Sequence, residues 1–195
     1  MNSLDQLVSF SRKLKQKGLV SEGCNKGSIS IRMEIDTICM SPSKLDYSEM
    51  RAGDINILRL DNTFIKQNAP ASRDSSFHLA IYQSRPDVNA IIHTHSRYAT
   101  ALALVNKGIP YITFGMKQHC KGPISIAPFA FPDSPEVNSA IIEHLGQKNA
   151  VLIQNHGLIC VGSSLLDCYE TAEFVEELSE SYIHALCVGP VIEIL

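Results

Sequence analysis

Two short runs of the chain leave little freedom in how it folds. Residues 89–95 (NAIIHTH) and 150–162 (AVLIQNHGLICVG) are apolar, rich in β-branched side chains and bounded by turn signals. Runs of that length and composition read as strands buried inside a sheet, the second as one long strand or two short ones. The flanking segments supply the rest. Residues 28–32 (SISIR) alternate polar with apolar, as a half-buried strand does, after a loop bracketed by Gly23 and Gly27. TICM (37–40) follows as a short strand, a loop stiffened by Pro42 comes next, and residues 56–60 and 63–66 flank Asp61-Asn62 as a hairpin. A further strand is expected over 124–128.

Helical spacing accounts for the remainder. Leu4, Leu7, Val8 and Leu14 recur on one face, with Lys13, Lys15 and Lys17 in the last turn and Gly18 as a stop. Residues 75–84 (SSFHLAIYQS) place Phe77, Ala80 and Ile81 together, and 99–105 form another helix. Ser134-Pro135-Glu136 has a cap followed by proline at the first helical position, and a last long helix runs from Ser164 through Leu165, Cys168, Ala172, Val175, Leu178 and Tyr182. With no linker, repeat or low-complexity stretch, residues 1–195 are expected to form one α/β domain. Its three layers, α/β/α, enclose a mixed and largely antiparallel central sheet.

Composition narrows the function classes. Lys and Arg number 17 against 20 Asp and Glu, a net charge of −3 that lacks the basic excess of a nucleic-acid or membrane-surface binder. Hydrophobic residues at 45% with 19% charged exclude disorder and a coiled coil, and no apolar run reaches the roughly 20 residues of a membrane span. The opening segment carries Asp5 and polar residues where a secretory leader needs an apolar stretch. The six cysteines form no C-x-x-C pair and lie among apolar residues, so reduced, mostly buried thiols and a cytoplasmic location are expected.

Three of the seven histidines are not explained by packing. His93 and His95, two apart on an expected strand, share a face, and His156 ends an apolar run just before Gly157. If those strands are neighbours, three imidazoles converge. Three neutral imidazoles with a position left open is the donor set of a catalytic zinc, although imidazole also suits other divalent transition ions. Isolated strand histidines are more commonly hydrogen-bonded surface residues. His78 reads as a core or supporting residue, and His119, His144 and His184 as solvated.

The strings HLAIYQSRPDVNAIIHTHSRYATALA (78–103) and NHGLICVGSSLLDCYETAEFVEELSE (155–180) resemble the class II aldolase/adducin N-terminal family. GCNKGSISIR and SPSKLDYSEM fall in order where that family has its first two loops, so the resemblance covers nearly the whole chain. It implies that His93, His95 and His156 are zinc ligands and that a retro-aldol cleavage proceeds through a metal-stabilised enediolate. It assigns to Asp74, four residues before His78, the carboxylate that moves the proton, where the family has the longer glutamate. On the residues alone, Asp74 serves equally as the N-cap of the helix starting near Ser75.

Family members that bind a substrate phosphate use Gly-Asn, Thr/Ser-Gly and Ser-Ser pairs. Those places are Gly27-Ser28, Ser43-Lys44 and Ser72-Arg73 here, so two small neutral positions have become cations. With Lys26, these cations surround the loops where an anionic substrate is expected; as solvated side chains, Lys44 and Arg73 would contribute nothing there. A tyrosine that resembling aldolases use to protonate the leaving aldehyde falls at Phe114, and their tyrosine-bearing C-terminal tail has no counterpart before Leu195.

The expected function is a zinc-dependent aldolase cleaving a small phosphorylated ketose. HTHSRYAT (93–100) fits equally a metal-dependent dehydratase or decarboxylase of a sugar acid phosphate in the same family. A non-catalytic module like the adducin head is the third reading, set against retention of all three histidines. The resemblance also implies a homotetramer with sites at subunit borders, acting on a small molecule and needing neither nucleic acid nor membrane.

Overall fold

A computed structural model of the chain describes residues 2–20, 27–131 and 134–194. Helix α1 (Ser3–Gln16) opens the chain, capped by the Asn2 side chain, which accepts from the Asp5 amide at 2.9 Å. Past its end Gly18 takes φ +70°, a left-handed value that glycine adopts without steric cost. Strands β1 (Gly27–Glu34), β2 (Thr37–Met40), β3 (Asn56–Arg59) and β4 (Phe64–Lys66) follow as an antiparallel meander. Next come α2 (Ser75–Ser84), β5 (Ala90–Thr94), α3 (Arg97–Leu104), the short α4 (Gly115–His119) and β6 (Ser125–Ala127). The chain then runs through α5 (Pro135–Leu145), β7 (Ala150–Ile153), β8 (Gly157–Gly162) and the long α6 (Leu165–Val188). The serine cap read from the sequence is made, Ser134 Oγ accepting from the Val137 amide at 3.3 Å, and Ser164, where the last helix was expected to start, caps it likewise by accepting from the Asp167 amide at 3.1 Å.

All eight strands form one sheet in the order β4-β3-β2-β1-β5-β8-β7-β6. Every pairing is antiparallel except β6 with β7, so the sheet is mixed. The apolar run at 150–162 is two strands, because residues 154–156 make a tight hairpin in which Asn155 takes φ +57°. Asparagine is among the few residues that tolerate that region.

The central strands are apolar on both faces because both faces are covered. Ala90, Ile92, Leu158 and Cys160 join a core with Leu7 and Leu14 of α1, Leu102 of α3, and Cys168 and Val175 of α6. Ile91, Ile159 and Val161, the intervening residues, join a second core with Phe77 and Ile81 of α2 and Ile141 of α5. This is the three-layer α/β/α arrangement that the sequence implied. Among the described residues no helix is long and apolar enough to cross a membrane.

Several local expectations change. Ser28 and Ser30 do not face solvent: β1 is buried on both sides there, and the two serines are 1% and 0% exposed beneath α2. His119 is half-buried against the ring of Phe174, with centroids 4.7 Å apart, and His144 is half-buried with Nδ1 on the Ala140 carbonyl at 3.0 Å; only His184 of these three is exposed. Four cysteines are buried as expected, whereas Cys187 is exposed; Cys24 lies outside the described residues, as do Gly23 and Lys26.

One buried side chain ties the layers together at the far end of the sheet. Arg85, 5% exposed, gives two hydrogen bonds of 2.7 Å to the Asp87 carboxylate and others to the carbonyls of Gly146 (2.6 Å) and Lys148 (3.2 Å). It thereby joins the end of α2 to the connection between α5 and β7. Removing the donor strands two carbonyls, each worth about 1–3 kcal/mol when left unpaired. Arg85→Ala is expected to lose about 2 kcal/mol by urea midpoint at unchanged m value. Arg85→Lys should recover little of it, because an ammonium cannot reproduce the guanidinium fork.

Candidate metal centre

Strand pairing alone brings two of the three histidine-bearing segments together. β5 lies between β1 and β8, with His93 opposite Ser28 on one side and opposite Ile159 on the other. His93 is 1% exposed, and its Nδ1 lies 2.9 Å from the Leu158 carbonyl. A carbonyl can only accept, so Nδ1 carries the hydrogen and Nε2 is left with its lone pair.

His95 does not share that strand. β5 ends at Thr94, and His95 begins the two-residue junction to α3, so strand period is not what aligns the two rings. They meet nonetheless, edge to face, with centroids 4.7 Å apart and Nε2 atoms separated by 2.9 Å. His156 comes from the β7–β8 hairpin loop, its ring centroid 4.7 Å from that of His93 and 4.9 Å from that of His95. One nitrogen of each lies within 4.8 Å of the others, the only such metal-sized group of His, Cys, Asp or Glu among the described residues.

Two glycines permit this convergence. A Cβ on Gly157 would lie 2.3 Å from the Thr94 carbonyl oxygen and 2.7 Å from Cδ2 of His95. A Cβ on Gly27 would lie 2.4 Å from the His93 carbonyl oxygen, and its φ of +149° is itself a glycine conformation. Any side chain at either place would force the strands apart beside the histidines.

The electrostatics favour neutral imidazoles. Burial drives the His93 pKa well below its ordinary value, and the neighbouring His95 and His156 push the same way. His156 is also lowered by burial, against the opposing pull of Asp74. Neutral rings with free lone pairs are the form in which histidine binds metal, so the donor set suits a divalent transition ion held by three imidazoles with a further position open.

Asp74 immediately precedes α2 with helical dihedrals, φ −76° and ψ −7°, and its side chain makes no cap hydrogen bond. Of the two readings, the capping one is therefore not realised. Burial lowers the pKa values of His78 and His156, and the charge of the half-buried Asp74 carboxylate opposes that lowering at both.

The loop residues divide into two groups. Ser28 Oγ is 2.9 Å from Nε2 of His78; Ser72, 8% exposed, accepts from the Asp74 amide at 3.3 Å; the Ser43 amide donates to the Pro70 carbonyl at 2.9 Å. These small residues are engaged within the protein. Lys44 and Arg73 are exposed, and Lys44 has φ +61°, which accounts for a glycine being used there in resembling proteins.

Under this site lies a polar network that the sequence reading did not identify. Nδ1 of His78 is 2.7 Å from Ser30 Oγ, which is 2.9 Å from the Tyr82 hydroxyl, all fully buried. Burial holds the His78 pKa down to about 3, so its ring is neutral and bridges Ser28 and Ser30. The signal was present in the two periods: Ser28 and Ser30 share a strand face, and His78 and Tyr82 share a helix face.

A mixed α/β sheet with a three-histidine cluster at the end of its central strands defines the class of protein. A family model, the class II aldolase and adducin N-terminal domain, matches residues 5–183, and the chain belongs to that family. It is 30% identical over 187 residues to the 5-deoxy-D-ribulose 1-phosphate aldolase of Bacillus thuringiensis serovar kurstaki, covering 95% of this chain and 86% of the relative. It is 26% identical over 182 residues to the 3-oxo-tetronate 4-phosphate decarboxylase of Haemophilus influenzae, covering 90% and 84%. A solved L-fuculose 1-phosphate aldolase superposes with a TM-score of 0.93 at 25% identity, covering 99% of this chain and 90% of that one. The family resemblance read from the sequence is borne out, and the chain falls among the family's lyases.

The glycine at the hairpin can be tested directly. Gly157→Ala is expected to cost about 1–3 kcal/mol, the range for overpacking, and to reduce metal uptake by at least about tenfold. Gly53→Ala, whose added Cβ meets nothing within 4 Å, should leave both unchanged. Urea midpoints and metal analysis of the two purified variants provide the comparison.

Proposed function

We propose that the protein is a zinc-dependent aldolase that cleaves a small phosphorylated ketose, with His93, His95 and His156 as metal ligands and Asp74 as the proton-transferring group. The observation that carries this reading is the convergence of three imidazoles, two held neutral by burial, beside a carboxylate whose side chain caps no helix. A divalent ion bound there supplies a Lewis acid that stabilises negative charge on a carbonyl oxygen, an effect of several kcal/mol.

The protein's own groups do the rest. His93 keeps its Nδ1 hydrogen on the Leu158 carbonyl, so Nε2 is oriented as a donor before anything binds. In the cleavage direction the hydroxyl that becomes the aldehyde loses its proton to water, and Asp74, protonated from water, delivers a proton to the carbon released; the reverse direction runs both transfers backwards. Lys44 and Arg73 offer the free cations for the substrate's anionic end, while Gly27, Ser28, Ser43 and Ser72 shape the loops that present them. A homotetramer working in the cytoplasm is the assembly and location that this reading carries.

A second reading changes the bond broken. Phe114, 78% exposed, has no hydroxyl to exchange a proton with the oxygen that becomes the aldehyde, a group needed only where an aldehyde is released. The 26% identity to a sugar-acid phosphate decarboxylase supports the same alternative.

Turnover of zinc-loaded protein against ketose 1-phosphates and sugar acid phosphates, with products identified by mass, separates the two. Release of an aldehyde is expected; loss of carbon dioxide or water instead selects the second reading, and no turnover by fully metal-loaded protein overturns both. His95→Ala should abolish stoichiometric metal and turnover together, and Asp74→Asn should retain metal while lowering kcat by about 10²-fold or more. In the turnover assay, Lys44→Ala and Arg73→Ala should each raise KM about tenfold with kcat within about twofold. The effect should shrink at high salt, as removal of uniform charge-assisted binding requires.

A further inference from the structure

The junction that carries His95 is held by a neighbouring helix of the same layer, α6. α3 starts at Arg97, only two residues after β5 ends, so the direction of its first turn and the backbone course of His95 are set together. Ser96 occupies the capping position but makes no side-chain cap bond; its hydroxyl is 1% exposed and faces Thr94 Oγ1 at 3.5 Å. The first-turn amides of α3 are met instead by Glu176, halfway along α6. Its Oε1 accepts from the Tyr98 amide at 2.9 Å and its Oε2 from the Ala99 amide at 3.0 Å.

This arrangement is more specific than helix packing. A carboxylate on two otherwise unpaired N–H groups satisfies hydrogen bonding and places negative charge against the positive end of the helix dipole. The Tyr98 side chain bonds to Glu180, one turn further along α6, so the same residue is tied twice to that helix. On the other side of the junction, the absent Cβ of Gly157 leaves His95 against the hairpin with no spare room. A shift of α3 along its axis therefore moves His95 relative to His93 and His156, which are fixed by strand pairing and by the hairpin.

We propose that Glu176 is a positioning residue for His95, setting the geometry of the three-histidine centre through the N-terminus of α3. It acts through the backbone amides of Tyr98 and Ala99. The inference rests on the metal reading given above and adds a residue eighty positions away that the motif strings do not single out.

The test uses the full chain in four forms: wild type, Glu176→Ala, Glu176→Gln and Glu173→Ala. Zinc affinity is measured by chelator competition, cobalt loading is followed by its visible spectrum, and exchange of the Tyr98 and Ala99 amides is followed in metal-free protein. Glu176→Ala should weaken zinc about tenfold, alter the cobalt spectrum and accelerate both amides. Glu176→Gln, with one acceptor oxygen in nearly the same shape, should recover most of the affinity and guards against an alanine variant that fails to fold. Glu173→Ala breaks the Lys17 ion pair on the same helix and should bind zinc within twofold of wild type. If Glu176→Ala lowers the melting temperature but leaves zinc affinity and the cobalt spectrum unchanged, or if Glu173→Ala weakens zinc equally, the inference is overturned. Wild-type protein that takes up no metal overturns the metal reading and this inference with it; wild type that binds while both Glu176 variants bind equally well overturns this inference alone.

Discussion

The approach of β5 to its two neighbours is the constraint on which the site depends. Gly27 and Gly157 let backbone carbonyls of β5 come within a distance that any Cβ would obstruct. That approach places the Leu158 carbonyl on His93 and brings the hairpin bearing His156 beside the end of the strand that leads to His95. The site is thus a by-product of sheet geometry at one edge of a tightly packed core. Three polar rings gather where the apolar packing of the central strands ends, close enough for their ring nitrogens to face one another.

The buried network beneath β1 performs the complementary task on the helix side. A histidine inside an apolar layer is tolerated only if both nitrogens are satisfied, and His78 meets that condition with Ser28 and Ser30. Because His78 lies one turn into α2, the same bonds fix where that helix begins and therefore where Asp74 stands. One helix position is specified by hydrogen bonds rather than by fit alone, which apolar contacts from Phe77 and Ile81 would not specify as sharply.

Most of the fold could be read from the residues because period and composition agree with burial. Continuous apolar runs became the two-sided central strands, Ser134 became a cap, and Asp61-Asn62 became a hairpin. The histidine centre was legible for a partly different reason from the one that holds. His93 and His95 do not share a strand, yet they meet because the junction after Thr94 is short and anchored. The misreading of Ser28 and Ser30 as surface residues has a similar origin. Alternation signals which residues share a face but not whether that face is wet, and here a histidine and a tyrosine from α2 make it a polar interior. Glu176 could not be found at all, since nothing local distinguishes it from the other glutamates of α6.

The two cations at the loops acquire meaning from what surrounds them. A non-glycine residue at a φ near +60° costs about 1–2 kcal/mol, and Lys44, being exposed, buries no apolar area to offset it. The neighbouring small residues are meanwhile engaged internally: Ser28 with His78, Ser72 with the Asp74 amide and Ser43 with Pro70. On the proposed function, recognition of an anionic ligand in these loops falls to long charged side chains more than to a rigid cradle of hydroxyls. Such side chains reach further and tolerate variation in what they hold, but they give up the geometric selectivity that fixed donors provide. On that proposal, the substrate's charge is positioned by attraction and its reacting carbon by the metal centre, which shifts the burden of stereochemical choice onto the histidines, Asp74 and the junction that Glu176 is proposed to secure.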